Sequence, residues 1–186
     1  MNRLYTALIL STSLLFACTR NSDSGSRTAP GPSSSLNLKE VKQVTRPFTD
    51  LSLQDTFRVV LTGEKPKEML LSFAIISHDG KQIYKQDFKA AQILDSYKGN
   101  VDLKKEASQV KFMHNELNLF LDDENFLEPA IMETEEPDKN TTDLAFYKEL
   151  KQSGLNGFKY RLGKESQLYI AWSKKAQKVK VYYKCC

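Results

Sequence analysis

TFRVVLTGEKPKEMLLSFAIISHDGKQIYKQDF, residues 56–88, decides the reading of the fold. Phe57, Val59 and Leu61 alternate with Arg58, Val60 and Thr62, the two-residue period of a strand with one buried face. Gly63-Glu64-Lys65-Pro66 supplies a turn, and Met69 to Ile76 follows as a nearly continuous apolar run. His78-Asp79-Gly80 is a hairpin signal, because Asp-Gly accepts positive φ, and Gln82 to Phe88 can return as the partner strand. This half of the domain is expected to be an antiparallel meander.

Working outward, Leu36 to Leu53 fits no single pattern: Leu36, Leu38, Val41 and Val44 allow a strand or a helical turn, and Pro47 interrupts it. After the meander the period changes. From Asp102, which suits an N-cap, Leu103, Ala107, Val110, Met113, Leu117, Phe120 and Leu121 recur at spacings of three and four and predict one long amphipathic helix. A second helix is expected from Thr142, its cap, with Leu144, Tyr147 and Leu150 inward and Gly154 as the stop. Strands then return. Phe158, Tyr160 and Leu162 alternate with Lys159 and Arg161. Gln167 to Trp172 is apolar on both faces, as a central strand would be. Val179, Val181 and Tyr183 alternate with Lys178, Lys180 and Lys184 in a strand solvated on one side, suited to an edge. Strands, then helices, then strands define an α+β class: an antiparallel sheet of about five to six strands packed against two amphipathic helices.

The amino terminus sets a second expectation. Arg3 precedes an apolar run from Leu4 to Ala17, about 14 residues, short of the 18 to 20 that span a bilayer. Leu15-Phe16-Ala17-Cys18 closes that run and resembles the lipobox of bacterial lipoprotein precursors. Ordinary secretion, with cleavage after Ala17, is the competing reading. The resemblance covers residues 1 to about 20 and implies removal of residues 1–17 as a signal peptide and a diacylglyceryl thioether on Cys18. Mature lipoproteins of this kind carry three acyl chains, palmitate among them, enough for stable membrane residence where one is marginal. Thr19, where an Asp would mark inner-membrane retention, points to the outer membrane. Residues 18–35 then form the lipidated cysteine and a tether. From Thr19 to Ser35 Ser, Gly, Pro, Thr and Asn dominate and nothing apolar is larger than Ala, a composition that does not offset its ordering entropy. As a coil it would span roughly 20 to 25 Å. Residues 36–186 are expected to be a single domain, whose tail from Gln167 onward resembles uncharacterised envelope lipoproteins without implying an activity.

Composition is that of a globular protein: 40% hydrophobic, 10% aromatic, 27% charged. Cys185-Cys186 closes the chain. Adjacent Cα atoms about 3.8 Å apart do not meet disulfide geometry, so an exposed tail is expected. A prenylation signal is disfavoured, since Gly157 to Gly163-Lys164-Glu165 lacks phosphate-loop spacing.

Candidate chemistry is sparse. Ser77-His78-Asp79 sits in a predicted turn, where neighbouring residues do not converge as a triad must. His114 lies near the apolar stripe of the long helix, with no second histidine at i+4. Between residues 116 and 138 stand nine carboxylates and no Lys or Arg. They lack calcium-loop spacing, so a solvated acidic loop is expected. From Lys139 to Lys184, eleven basic residues face three acidic ones. These lysines serve solubility, match the acidic stretch, or form an interaction face, which Lys174, Lys175, Lys178 and Lys180 would bear. Asn140-Thr141-Thr142 fits a glycosylation acceptor. No catalytic set, cofactor or metal site is expected. The functional expectation is a lipid-anchored envelope protein that binds or scaffolds an envelope protein, anionic lipid or glycan, with nucleic acid excluded. The alternatives are an envelope hydrolase or metal-dependent enzyme using His114 with acidic neighbours, and a lipid or glycan carrier with an apolar cavity between sheet and helices.

Overall fold

The computed structural model describes residues 39–99, 102–161 and 163–185. The signal segment, Cys18, the tether, Leu36, Leu38, Leu162 and Cys186 lie outside the described residues. No helix among the described residues is long and apolar enough to cross a membrane.

The class is α+β, but in place of one sheet of five to six strands there are two antiparallel sheets of four strands each. The first is a meander of β1 (Lys39–Arg46), β2 (Asp55–Thr62), β3 (Leu70–Ile76) and β4 (Gln82–Lys89) in spatial order. The second follows the same plan with β5 (Phe126–Leu127), β6 (Gly157–Arg161), β7 (Gln167–Ser173) and β8 (Lys178–Cys185). Among the described residues three helices occur rather than two: α1 (Ala90–Ser96), α2 (Glu106–Phe120) and α3 (Leu144–Ser153). The additional helix, α1, buries Ala90, Ile93 and Leu94 but has seven residues, too few to display a helical period in sequence.

The expected alternation in β2 is present: Phe57, Val59 and Leu61 are buried while Arg58 faces water. In β3, Leu71, Phe73 and Ile75 point the same way. The second sheet meets this face with Phe158, Tyr160 and Ile170, so the two sheets share one core. Aromatic rings fill it. Phe57 and Phe158 have centroids 5.1 Å apart, Phe73 and Phe158 5.2 Å, and Phe73 and Phe120 5.0 Å. α2 adds Met113 and Leu117, and its C-cap adds Leu121, three of the residues that predicted the helix. It begins at Glu106, four residues after the expected cap. Asp102 accepts only from the Lys104 amide, at 3.5 Å, and Lys105 is the N-cap without a side-chain bond.

A second core lies on the other face of the second sheet, where α3 places Phe146, Tyr147 and Leu150 on Ala171, Tyr182 and the segment at Ala130-Ile131. β7 therefore has both faces covered, Ile170 toward one core and Ala171 toward the other, as its two-sided pattern predicts. α3 starts at Leu144 with Asp143 as its cap, the carboxylate accepting from the Phe146 amide at 2.9 Å, so Thr142 is not the cap. The Thr142 hydroxyl instead donates to the Val181 carbonyl at 2.7 Å. Leu144 is half exposed and Phe146 takes the inward place expected of it. Gly154 ends the helix at φ 61°, the left-handed conformation expected of a C-cap glycine.

β8 is an edge strand, and its alternation breaks at a bulge. Tyr169 pairs with Tyr183 and Ile170 with Val181, which leaves Tyr182 as the extra residue. Tyr182 stays on the face of Lys180, which α3 covers, and its hydroxyl donates to the Ala130 carbonyl at 2.9 Å, while the slip brings Tyr183 to that same face instead of the face of Val179 and Val181.

β1 resolves the ambiguous stretch before Pro47. Its inward positions are Glu40, Lys42, Val44 and Arg46, of which only Val44 is apolar. Their partners come from α2 and the turn after it. Glu40 binds His114, Lys42 binds Asp122 at 3.2 Å, and Arg46 binds Asp123 at 2.6 Å. Inward charges on an edge strand discourage pairing with another chain.

Candidate functional site

The four lysines expected to form an interaction face separate into two groups. Lys174, Lys175 and Lys178 are exposed on the turn from β7 to β8. Lys180 is turned toward α3: its ammonium is 2.6 Å from the Asp143 carboxylate and 4.7 Å from the centroid of Phe146. The Lys180 hydrogen bond, then the Phe146 amide, holds the Asp143 carboxyl below its ordinary pKa.

The turn that carries the other three is braced. Ser173 is buried and donates to the Glu149 carboxylate on α3 at 3.0 Å, while its hydroxyl accepts from the Ala176 amide at 3.1 Å. The Lys175 amide donates to the same carboxylate at 3.1 Å, and the Gln177 side chain donates to the Lys174 carbonyl at 2.8 Å. Glu149 thus fixes the backbone from the α3 side and leaves the ammonium groups of Lys174, Lys175 and Lys178 pointing to solvent.

The two histidines are held by separate carboxylates. His114 Nδ1 is bonded to Glu40. Its neighbour two residues on, Glu116, faces a different cleft, since positions i and i+2 of a helix do not share a face. The structure therefore does not gather His114 and its acidic neighbours, as the metal-dependent or hydrolytic reading requires. His78 belongs to its turn: its amide donates to Asp55 at 2.8 Å, Ser77 bonds Asp79, and Gly80 closes on Ser77 at 2.8 Å. Asp55 is fully buried and also accepts from the Thr49 amide and hydroxyl, at 2.6 and 2.8 Å, so it ties the loop after β1 to the hairpin. Among the described residues no group of three or more His, Cys, Asp and Glu side chains is placed to hold a metal ion.

The acidic stretch is not one solvated loop. Asp122 and Asp123 neutralise β1. Glu116 lines a cleft of about 260 Å³ between the end of α2 and β6, with Arg161 at 3.4 Å and Lys159 and Tyr160 beside it. Burial raises the Glu116 carboxyl pKa and Arg161 opposes the rise. Behind it Tyr97 packs on Phe112, with a buried hydroxyl that has no partner among the described residues. Burial, then Glu116, raises the Tyr97 pKa, so it stays a neutral phenol. Glu128, Glu135, Glu136 and Asp138 wall an open groove against α3 and β8. Asn140, the glycosylation candidate, donates its side-chain amide to the Tyr183 hydroxyl at 3.1 Å.

The groove escaped the sequence reading because Tyr169, Tyr182 and Tyr183 come from β7 and β8, far from the acids in the chain. Only the density of Tyr169, Tyr182 and Tyr183 near the carboxyl terminus hinted at it. Comparison with models of protein families, with curated proteins and with solved structures finds no match to this chain.

Proposed function

We propose that the chain is a lipoprotein of the bacterial envelope, anchored by lipid on Cys18 in the outer membrane, whose domain works by binding an anionic envelope component. The lipobox resemblance supports the anchor. The observation that carries the binding reading is the braced turn: Lys174, Lys175 and Lys178 project from a backbone fixed by Glu149 and Ser173. A preorganised cationic tip loses little freedom on docking, and each lysine near an anionic surface contributes about 1 kcal/mol. The carrier reading is weakened by the aromatic rings that fill the core between the sheets.

The test is in-cell crosslinking and capture of the tagged full-length chain beside a Lys174→Glu, Lys175→Glu, Lys178→Glu variant. Lys180 is left intact because its contact with Asp143 is internal. One envelope component recovered with the native chain and lost with the variant supports the proposal. Equal recovery with both chains, or recovery with neither, contradicts it.

A further inference from the structure

The acidic segment after β5 and the outer face of the second sheet enclose a groove of about 530 Å³. Its floor is tyrosine. The Tyr169 ring stands nearly perpendicular to Tyr183, at 82° and 5.2 Å between centroids, and to Tyr182, at 75° and 6.1 Å. Tyr182 is buried, so the π-faces offered to a cation and its methylenes are those of the part-exposed Tyr169 and Tyr183.

Three of the hydroxyls are committed. Tyr169 donates to the Gln167 side chain at 3.1 Å. Tyr182 donates to the Ala130 carbonyl at 2.9 Å, and Tyr183 donates to Asp138 at 3.0 Å. Tyr147 is different. It is 4% exposed and lines the groove, yet its hydroxyl makes no hydrogen bond among the described residues. The hydroxyl keeps access to the solvent of the groove, where it stands uncommitted and open to a ligand. Burial, then Glu135, Glu136 and Asp138, raises the Tyr147 pKa, so the group remains a neutral hydroxyl able to accept as well as donate.

The charge of the rim selects the partner. Glu128, Glu135, Glu136 and Asp138 border the groove, and the ion pair that reaches them among the described residues is Lys151 with Glu136, at 3.0 Å. The same ammonium donates to the Glu135 carbonyl at 2.6 Å. Pro129, Ala130 and the half-exposed Met132 separate the acids with apolar surface. A hard divalent ion requires converging oxygens, and here they are strung along a wall. A quaternary ammonium has no N–H to offer Tyr147. A chain alternating methylenes with N–H-bearing ammonium groups matches the acids, the apolar spacers and the phenol together.

We infer that this groove binds a linear alkyl polyamine, with ammonium groups donating to the Tyr147 hydroxyl and the rim carboxylates and methylenes lying on the tyrosine faces. The inference is independent of the lysine turn. The test is calorimetric titration of the full-length chain in detergent micelles with spermidine, choline and magnesium, repeated with Tyr147→Phe and with a Glu128→Gln, Glu135→Gln variant. Spermidine binds one to one, and choline and magnesium bind at least tenfold more weakly. Tyr147→Phe weakens spermidine about fivefold, the worth of one hydrogen bond, with an unchanged melting temperature because the hydroxyl has no partner in the fold. The double glutamine variant weakens it tenfold or more. No spermidine binding, equal binding of the three cations, or full affinity in Tyr147→Phe overturns the inference.

Discussion

The hydroxyls of Tyr84 and Tyr160 lie 2.5 Å apart, joining the edge strand β4 of the first sheet to the inner strand β6 of the second. Burial pushes both phenols to higher pKa, so the pair is a neutral hydrogen bond within the aromatic core. Tyr84→Phe strands the buried Tyr160 hydroxyl and is expected to destabilise the domain by about 1 to 3 kcal/mol, whereas Tyr84→Phe with Tyr160→Phe recovers most of the loss. Urea denaturation of Tyr84→Phe, Tyr160→Phe and the double variant checks the cycle. Equal, additive losses would show that the bond does not join the sheets.

Glu116 makes stability depend on pH with a defined sign. Its pKa in the fold is raised above 4.5, so in the interval above that value the folded chain holds a proton that the unfolded chain has released. Stability from this group is complete below pH 4.5 and falls as pH rises through the folded value. Relative to the native chain, Glu116→Gln should therefore gain stability as pH increases from about 4 to 8, measured by denaturation at each pH. A difference independent of pH would rule out the buried acid.

Gly157 opens β6 at the closest approach between the second sheet and the segment that walls the tyrosine groove. A methyl group there would lie 2.8 Å from the Ala130 side chain and 3.1 Å from the Tyr182 hydroxyl. Gly157→Ala is expected to cost about 1 to 3 kcal/mol through overpacking, and Ala130→Gly in the same chain to restore part of it. Thermal melts of the single and double variants provide the check. A single variant as stable as the native chain would mean that the segment yields freely.

The elements with clean periods were readable from the chain alone. Phe57, Val59 and Leu61 face one core, Met113 and Leu117 mark the helix stripe, and Gln167 to Trp172 is central because both of its faces are covered. β1 was not readable, because its inward residues Glu40, Lys42 and Arg46 answer polar groups distant in sequence. The split into two sheets was also hidden: alternation reports which face is buried and not which strand lies alongside. At Tyr183 the pattern misled, since a bulge at Tyr182 reverses the faces beyond it without changing the composition. Of the lysine face, exposure at Lys174, Lys175 and Lys178 was readable. The inward turn of Lys180 depends on Asp143 and Phe146, which reach it only through the fold.

The proposed lipid on Cys18 would place the domain at the envelope, and everything proposed about its partners depends on that. The decisive measurement is mass spectrometry of the N-terminal peptide of the full-length product expressed in a bacterial envelope and partitioned between detergent and water. The account predicts a peptide beginning at Cys18 that carries diacylglyceryl and acyl groups, in the detergent phase, and its loss from that phase with Cys18→Ser. An unmodified chain in the aqueous phase, whether it begins at Cys18 or retains residues 1–17, would contradict it.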